Sequence, residues 1–298
     1  MLDFLKKMLH SKPRVAKMDI TKRFQLVGRV GQGSMSKVFR AIDGRTGKTV
    51  ALKLLDIEKT LRLESRFKGM KGKKPSEGEV AMLLKHPHIV QTFEHGITTK
   101  NEQYLVMEFV EGVSLSFLID MQNEIMLKNR LRFVVELGEA IEHFHRLNFI
   151  HRDICPRNVI LDSEYSIKLI DFGLVVPNTP EFQAPGNRTG TANYMAPELI
   201  KRQRTDQRID IFSFAVTCYE MFAKRLPWEA AETLDAVVQH INQPPDELKV
   251  HCPEIDPRIS DVIMKGLAIE PRDRWQSMGA MLAPIREIRA GAGKPKGK

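Results

Sequence analysis

Hydrophobic periodicity changes once along this 298-residue chain, and no other feature constrains the fold as strongly. From Phe24 the pattern has period two: Phe24, Leu26, Gly28 and Val30 alternate, and Val38 to Ile42 and Thr49 to Leu55 follow as similar runs. Asp43-Gly44 with Gly47 supplies a hairpin turn between the last two. These runs predict three antiparallel strands as the opening unit. Ser76 to Lys85 reads as a helix, and Ile89 to Glu94 and Gln103 to Phe109 read as two more strands. From Glu111 onward the period becomes helical: Val134, Leu137, Ile141 and Phe144 fall on one face. The run from Asp210 is apolar nearly all round, which predicts a buried helix. The expected class is α+β: a small antiparallel β-sheet lobe with one main helix, then a larger, mainly α-helical lobe.

Composition excludes several alternatives. Hydrophobic residues at 42% and charged residues at 28% exclude a disordered, collagenous or coiled-coil chain. The formal charge of +9 points to an acidic partner such as a nucleotide, nucleic acid, anionic lipid or acidic protein, without choosing among them. Aromatics at 7% argue against a base-stacking surface, and no nucleic-acid partner is expected. Cys155, Cys218 and Cys252 are too few and too scattered for a disulfide framework or a zinc site, which fits a reducing compartment. The most apolar helical run, Ile209 to Ala223, carries Asp210 and Glu220, and the N-terminus lacks an apolar signal core. A cytoplasmic location is expected.

The ends differ from the middle. In residues 1–17, Met1, Leu2, Leu5, Met8 and Leu9 share a helical face opposite Lys6 and Lys7, with Lys12, Arg14 and Lys17 beyond. Such a basic amphipathic segment can make weak contact with an anionic membrane, and the same pattern fits a frayed or locally docked extension. Gly291 to Lys298 is a Gly/Lys/Pro tail. The expected division is an extension over 1–23, a folded domain over 24–285 with lobes meeting near 108, and a basic tail over 286–298.

Several short segments carry chemistry. Gly31, Gln32, Gly33, Ser34, Met35, Ser36, Lys37 and Val38 form a Gly-rich turn between two predicted strands. Glycines let backbone amides approach phosphate oxygens, although any tight hairpin can carry Gly-x-Gly. The dinucleotide fingerprint requires a helix next, whereas here a strand follows, which fits a flap over nucleotide phosphates. On the third strand Ala51 and Lys53 share a face, so a lysine that can reach phosphate lies beside a residue small enough to admit a flat base. Alone, Lys53 more commonly means an edge-strand lysine in solvent. Then come His151-Arg152-Asp153-Ile154-Cys155-Pro156-Arg157-Asn158 and, after a short strand, Asp171-Phe172-Gly173. Asp153 supplies a base or hydroxyl-orienting carboxylate, and Asn158 with Asp171 supplies two oxygen ligands of the kind Mg²⁺ takes.

In this order and spacing the segments resemble the eukaryotic-type (Hanks-type) serine/threonine protein kinases in their bacterial style, over about Phe24 to Ile285. The resemblance implies the two-lobed protein kinase fold with ATP and Mg²⁺ as cofactors and proteins bearing Ser/Thr acceptors as substrates. Val30, Val38, Ala51 and Ile160 would sandwich adenine. Gly31 to Lys37 would cover the phosphates, and Lys53 would bind them. Glu77 would pair with Lys53, with Glu79 as the alternative should the register slip. Met107, the Glu108 carbonyl and the Val110 backbone would form the hinge against adenine, and Ser114 would reach the ribose. Asp153 would be the catalytic base, and Asn158 and Asp171 the metal ligands. Glu198, Arg274 and Asp210 would be structural. Thr189, and after it Thr179, are the candidate acceptors for activation-loop phosphorylation, to which Arg152 would respond.

Two positions depart from the pattern. Ser36 replaces a glycine of the phosphate loop. Cys155 stands where these kinases place a lysine that neutralises the transferring phosphate, and Arg157, four residues after Asp153, is positioned to replace it. Gly190-Thr191-Ala192-Asn193-Tyr194 resembles the Ser/Thr-specific activation segment. The alternative is a nucleotide-binding pseudokinase that acts as a signalling scaffold. The expected enzyme is a catalytic domain with almost nothing appended.

Overall fold

A computed structural model describes residues 17–32, 36–67, 74–186, 188–229 and 243–292. Contacts divide the chain into two units, one containing residues up to 65 and 92–109, the other 66–91 and 110 onward. Among the described residues no helix is long and apolar enough to cross a membrane.

The first unit opens with a short helix, α1 (Ile20–Arg23), capped by the Asp19 carboxylate, which accepts from Thr21 N at 3.1 Å. Strands β1 (Phe24–Gln32), β2 (Ser36–Asp43) and β3 (Thr49–Leu55) follow, then α2 (Ile57–Ser65), β4 (Thr92–Ile97) and β5 (Gln103–Glu108). They form an antiparallel sheet of order β1-β2-β3-β5-β4. Period-two alternation sends Ala41, Val50, Leu52, Leu54, Tyr104 and Val106 to one face, where with Phe24 they make a core. Paired residues share a face, so the ladder places Val38, Lys53 and Leu105, then Arg40, Ala51 and Met107, on the other. Register shifts in β1 leave Val27 and Val30 unpaired, 54% and 53% exposed.

The expected extension over 1–23 is tied to this unit from Met18. Met18 N donates to Ile97 O and Thr99 N donates to Met18 O, each at 2.9 Å. Arg23 donates to both oxygens of Asp43 at 2.9 and 2.8 Å and to both of Glu94 at 2.9 and 2.7 Å. A guanidinium fork matches two carboxylates in this way where an ammonium could not. Residues 1–16, which carry most of the amphipathic pattern, lie outside the described residues. Helix α2 has no counterpart in the expectations from sequence. The strand expected over Ile89–Glu94 begins only at Thr92; Ile89 and Val90 are buried but bond to Leu169 of the second unit. Their apolar character reflected burial without strand alternation.

The second unit contains α3 (Glu77–Leu83), shorter at both ends than the expected Ser76–Lys85. Next come β6 (Gly112–Ser114), α4 (Leu115–Met121), the 23-residue α5 (Glu124–Arg146), β7 (Phe149–Ile150), β8 (Val159–Asp162), β9 (Ile167–Leu169) and β10 (Val176–Pro177). Helices α6 (Pro197–Ile200), α7 (Arg208–Ala223), α8 (Leu248–His251), α9 (Pro257–Gly266) and α10 (Met278–Ala292) follow among the described residues. As its composition predicts, α7 is buried on nearly every side. Helix α5 packs against α10 so closely that a Cβ at Gly138 would lie 2.4 Å from Leu282. Helix α10 runs past the expected boundary at 286, with Ile285 and Ile288 buried and Arg286 bonded to Glu139 at 3.0 Å. Residues 293–298 of the expected tail lie outside the described residues.

Candidate active site

In the second unit a loop after β7 is held from beneath by the first turn of α7. The Asp210 carboxylate accepts from His151 N and Arg152 N, each at 2.8 Å, and from His145 Nε2 at 2.9 Å. Burial alone would raise its pKa, but the His145 hydrogen bond, neighbouring imidazoles and the His151 amide hold it below the usual carboxylate range. These bonds fix Arg152 at φ 70°, a left-handed conformation that a non-glycine residue keeps only under such constraint. Burial also pushes the Arg152 guanidinium down to about 10, opposed by the Asp210 charge. His151 packs its ring on Phe144 and Phe172, centroids 5.1 and 6.3 Å apart.

The loop presents Asp153 with both carboxylate oxygens engaged. Thr191 N and Thr191 Oγ1 each donate to Oδ1 at 2.8 Å, and Asn158 Nδ2 donates to Oδ2 at 2.9 Å and to the Asp153 carbonyl at 2.8 Å. Thr191 reaches Asp153 because Gly190, at φ +136°, passes close beneath the loop; a Cβ there would lie 2.7 Å from Arg152 O. Pro156 begins the 3-10 turn Pro156–Asn158, where its fixed φ and missing N–H cost nothing.

That turn leads into the β8–β9 hairpin, and Ile170 N donates to Asn158 O at 2.8 Å, bringing Asp171 beside Asn158. Asp171 is also left-handed, φ 68°, and its Oδ1 accepts from Gly173 N at 3.2 Å. A side chain on Gly173 would lie 3.3 Å from Glu77 Oε2 and 3.4 Å from Asp171 Oδ1, so two carboxylates flank this glycine. Glu77 is 6% exposed. Glu79, the alternative in sequence, is exposed, and its carboxylate caps α3 by accepting from Ser76 N at 2.6 Å and Ser76 Oγ at 2.9 Å.

Asn158 Nδ2 is committed to Asp153, so its Oδ1 is the atom it can offer a cation. An amide oxygen and a carboxylate are hard ligands suited to Mg²⁺, which keeps waters and phosphate oxygens for its remaining positions. Among the described residues no group of three or more His, Cys, Asp or Glu could hold a metal, so an all-protein cage is not built here.

Cys155 is 1% exposed, its Sγ 3.7 Å from Thr191 Oγ1. Burial, with the Asp153 charge, pushes the thiol up to about 11, so it is neutral and contributes no charge. Arg157 is exposed on the same turn. Nearby, Tyr194 OH donates to Glu220 Oε2 at 2.5 Å, and burial raises the Glu220 pKa while Arg157 opposes the rise.

The remaining expected residues lie as follows. In the first unit Ala51, Lys53 and Met107 are buried on the sheet face with Val38, Val30 is exposed in its bulge, and Glu108 ends β5. Gly31 and Gln32 close β1 opposite Val38 and Lys37, and Ser36 is buried; Gly33, Ser34 and Met35 lie outside the described residues. In the second unit Val110 is half-buried, and Ile160 pairs with Ser114. Ser114 caps α4, its hydroxyl accepting from Phe117 N at 3.2 Å, a local task the sequence reading missed. Thr189 is 8% exposed; Thr179 is half-buried, and its carbonyl accepts from Phe182 N and Gln183 N. His145 and the Tyr194–Glu220 pair were also missed; the only available signal was polar residues placed on otherwise apolar helices. Glu198 and Arg274 form a buried two-pronged pair, both N–O distances 2.7 Å.

Residues 24–284 match the protein kinase domain. The chain is 30% identical over 271 residues to a probable serine/threonine-protein kinase of Streptomyces coelicolor, covering 88% of this chain and 39% of that protein. It is 29% identical over 292 residues to the serine/threonine-protein kinase PknA of Mycobacterium tuberculosis, covering 95% and 65%. A probable serine/threonine-protein kinase of Clostridium perfringens is 28% identical over 273 residues, covering 90% and 38%. The chain thus spans less than two thirds of the length of each of these relatives. With its motifs in order and the domain match running from β1 into α10, the chain belongs to the protein kinase family.

Proposed function

We propose that this chain is an ATP- and Mg²⁺-dependent protein kinase that transfers the γ-phosphate of ATP to serine or threonine hydroxyls of proteins. The observation that carries the reading is the Asp153 carboxylate, oriented at Oδ1 by Thr191 and at Oδ2 by Asn158. A carboxylate fixed at both oxygens can align an acceptor hydroxyl and take its proton as the oxygen–phosphorus bond forms and the bond from γ-phosphorus to its bridging oxygen breaks. The Thr191 hydroxyl beside it favours a small aliphatic alcohol. Asn158 Oδ1 and the Asp171 carboxylate would hold Mg²⁺, which supplies neutralisation of the phosphate charge. Lys53, with Glu77 as its partner, would bind the phosphates, and Val30, Val38, Ala51, Met107, Glu108, Val110, Ser114 and Ile160 would hold the nucleoside. With Cys155 neutral, Arg157 would supply the positive charge for the γ-phosphate; Arg157→Ala is expected to lower kcat at least tenfold, and an unchanged kcat removes that role.

Cys155 is also the observation that favours the second reading, a nucleotide-binding scaffold without phosphotransfer. Incubation with labelled ATP, Mg²⁺ and a generic acceptor, with Asp171→Ala as control, separates the two. Label that depends on Asp171 supports the enzyme. Nucleotide binding without label supports the scaffold.

A further inference from the structure

Phe67 and Lys74, which precede α3 in sequence, each touch the stretch between Asp171 and Thr191. Phe67 is 7% exposed, and its ring centroid lies 5.8 Å from that of Phe182, 5% exposed, in the stretch between β10 and Thr191. Lys74 Nζ donates to the carbonyls of Gly173 at 3.3 Å and Pro75 at 3.5 Å and stands 6.0 Å from the Phe67 centroid. Ser76 and Glu79 form the capping box at the start of α3.

Both contacts add a tie from outside to backbone that also carries bonds of its own. Asp171 at φ 68° is strained, and such a conformation persists only where its surroundings over-determine it. Ile170 N to Asn158 O ties the turn from before and Gly173 N to Asp171 Oδ1 from within; Lys74 to Gly173 O ties it from after. Downstream, Phe182 sits in a turn fixed on one side by Thr205 N and Arg204 Nη2 on Gln183, at 3.0 and 2.8 Å, and by Asn178 Nδ2 on Gln207 at 2.7 Å. Phe67 closes the other side.

We propose that Lys74 and Phe67 are positioning residues: Lys74 fixes the Asp171–Gly173 turn for Mg²⁺, and Phe67 fixes the segment that delivers Thr191 to Asp153. The proposal rests on reading Asn158 and Asp171 as the metal ligands. The donor is charged but the bond, at 3.3 Å, is long, so its loss is expected to weaken metal binding by about three- to tenfold, within the range of a single hydrogen bond.

The test uses the full chain as wild type, Lys74→Met, Lys74→Arg, Phe67→Ala and Phe67→Leu. Mn²⁺ affinity is read by electron paramagnetic resonance with a non-hydrolysable ATP analogue, alongside thermal melting, acceptor KM and hydrogen exchange over 178–191. Lys74→Met, which keeps the stem, should weaken Mn²⁺ by about fivefold with acceptor KM unchanged, and Lys74→Arg should recover most of it. Phe67→Ala should raise acceptor KM and speed exchange over 178–191 with Mn²⁺ affinity within about twofold of wild type, and Phe67→Leu should fall between. Unchanged Mn²⁺ affinity in Lys74→Met, or no recovery in Lys74→Arg at equal melting temperature, overturns the Lys74 role. Unchanged exchange in Phe67→Ala overturns that of Phe67. A wild type that transfers no phosphate yet shows the Lys74 effect on Mn²⁺ defeats the kinase reading alone; transfer without that effect defeats the Lys74 proposal alone.

Discussion

Asp210→Asn should damage both stability and the loop that presents Asp153, although the side chain is nearly the same size. Oδ2 of Asp210 accepts from His151 N and His145 Nε2, and Oδ1 accepts from Arg152 N, all at 2.8–2.9 Å with the residue 1% exposed. Asparagine has one acceptor oxygen. Placed where Oδ2 stands, it keeps two donors but points an NH₂ at Arg152 N, donor against donor. A buried amide left unsatisfied costs ~1–3 kcal/mol, and lost charge assistance on the other bonds brings the total to ~2–4 kcal/mol. At about 2–4 °C per kcal/mol for a chain of this size class, melting should fall by about 5–15 °C. Arg152 would also relax from φ 70°, moving Asp153, and a displacement of about 1 Å can cost about 10²-fold in rate. Differential scanning calorimetry and phosphotransfer assays on the same preparations read both effects. A variant that melts within 2 °C of wild type and transfers phosphate within twofold of it would refute the reasoning.

Thr191→Val keeps the amide bond to Asp153 Oδ1 but removes the hydroxyl donor at 2.8 Å; a bond to a charged acceptor is worth ~1.5–3 kcal/mol, so kcat/KM should fall about 10- to 100-fold, with Thr191→Ser restoring most of it. Arg23 holds the Asp43 pKa below its ordinary value of 3.8, so the folded state binds that proton less readily than the unfolded chain. The resulting stability is present above about pH 4 and lost as pH falls through the folded value; Asp43→Asn should therefore flatten the decline in urea midpoint between pH 4 and 2.5. Iodoacetamide at pH 8 should label half-buried Cys252 before Cys155, whose buried thiol is pushed up to about 11; mass spectrometry of tryptic peptides reads the order.

Much of this arrangement was legible in the sequence because it rests on local pattern. The three opening strands follow period-two alternation and a turn-forming Asp-Gly, and α7 follows an apolar run without a polar face. The motif residues in the second unit, Asp153, Asn158, Asp171 and Thr191, meet because short loops hold them on a single hairpin and its neighbours. What escaped depends on partners distant in sequence. Arg23 bonds to Glu94 of the sheet and Arg286 of α10 bonds to Glu139 of α5, contacts between residues far apart in sequence. Ile89 and Val90 bond to Leu169, which no local window contains. The helix caps made by Ser114 and Glu79 also went unread.

The central claim, that Asp153 accepts the proton of a serine or threonine hydroxyl during transfer from ATP, is tested most directly by Asp153→Asn. The substitution keeps size and an acceptor for Thr191, turns an NH₂ toward Asn158 Nδ2 and removes the base. Wild type and variant are incubated with γ-labelled ATP, Mg²⁺ and a mixed protein acceptor, and the labelled products are hydrolysed to phosphoamino acids. The account predicts phosphoserine and phosphothreonine from wild type and a loss of about 10²-fold or more in the variant, which still unfolds cooperatively. Equal labelling by the two proteins, or label mainly on tyrosine, would contradict it.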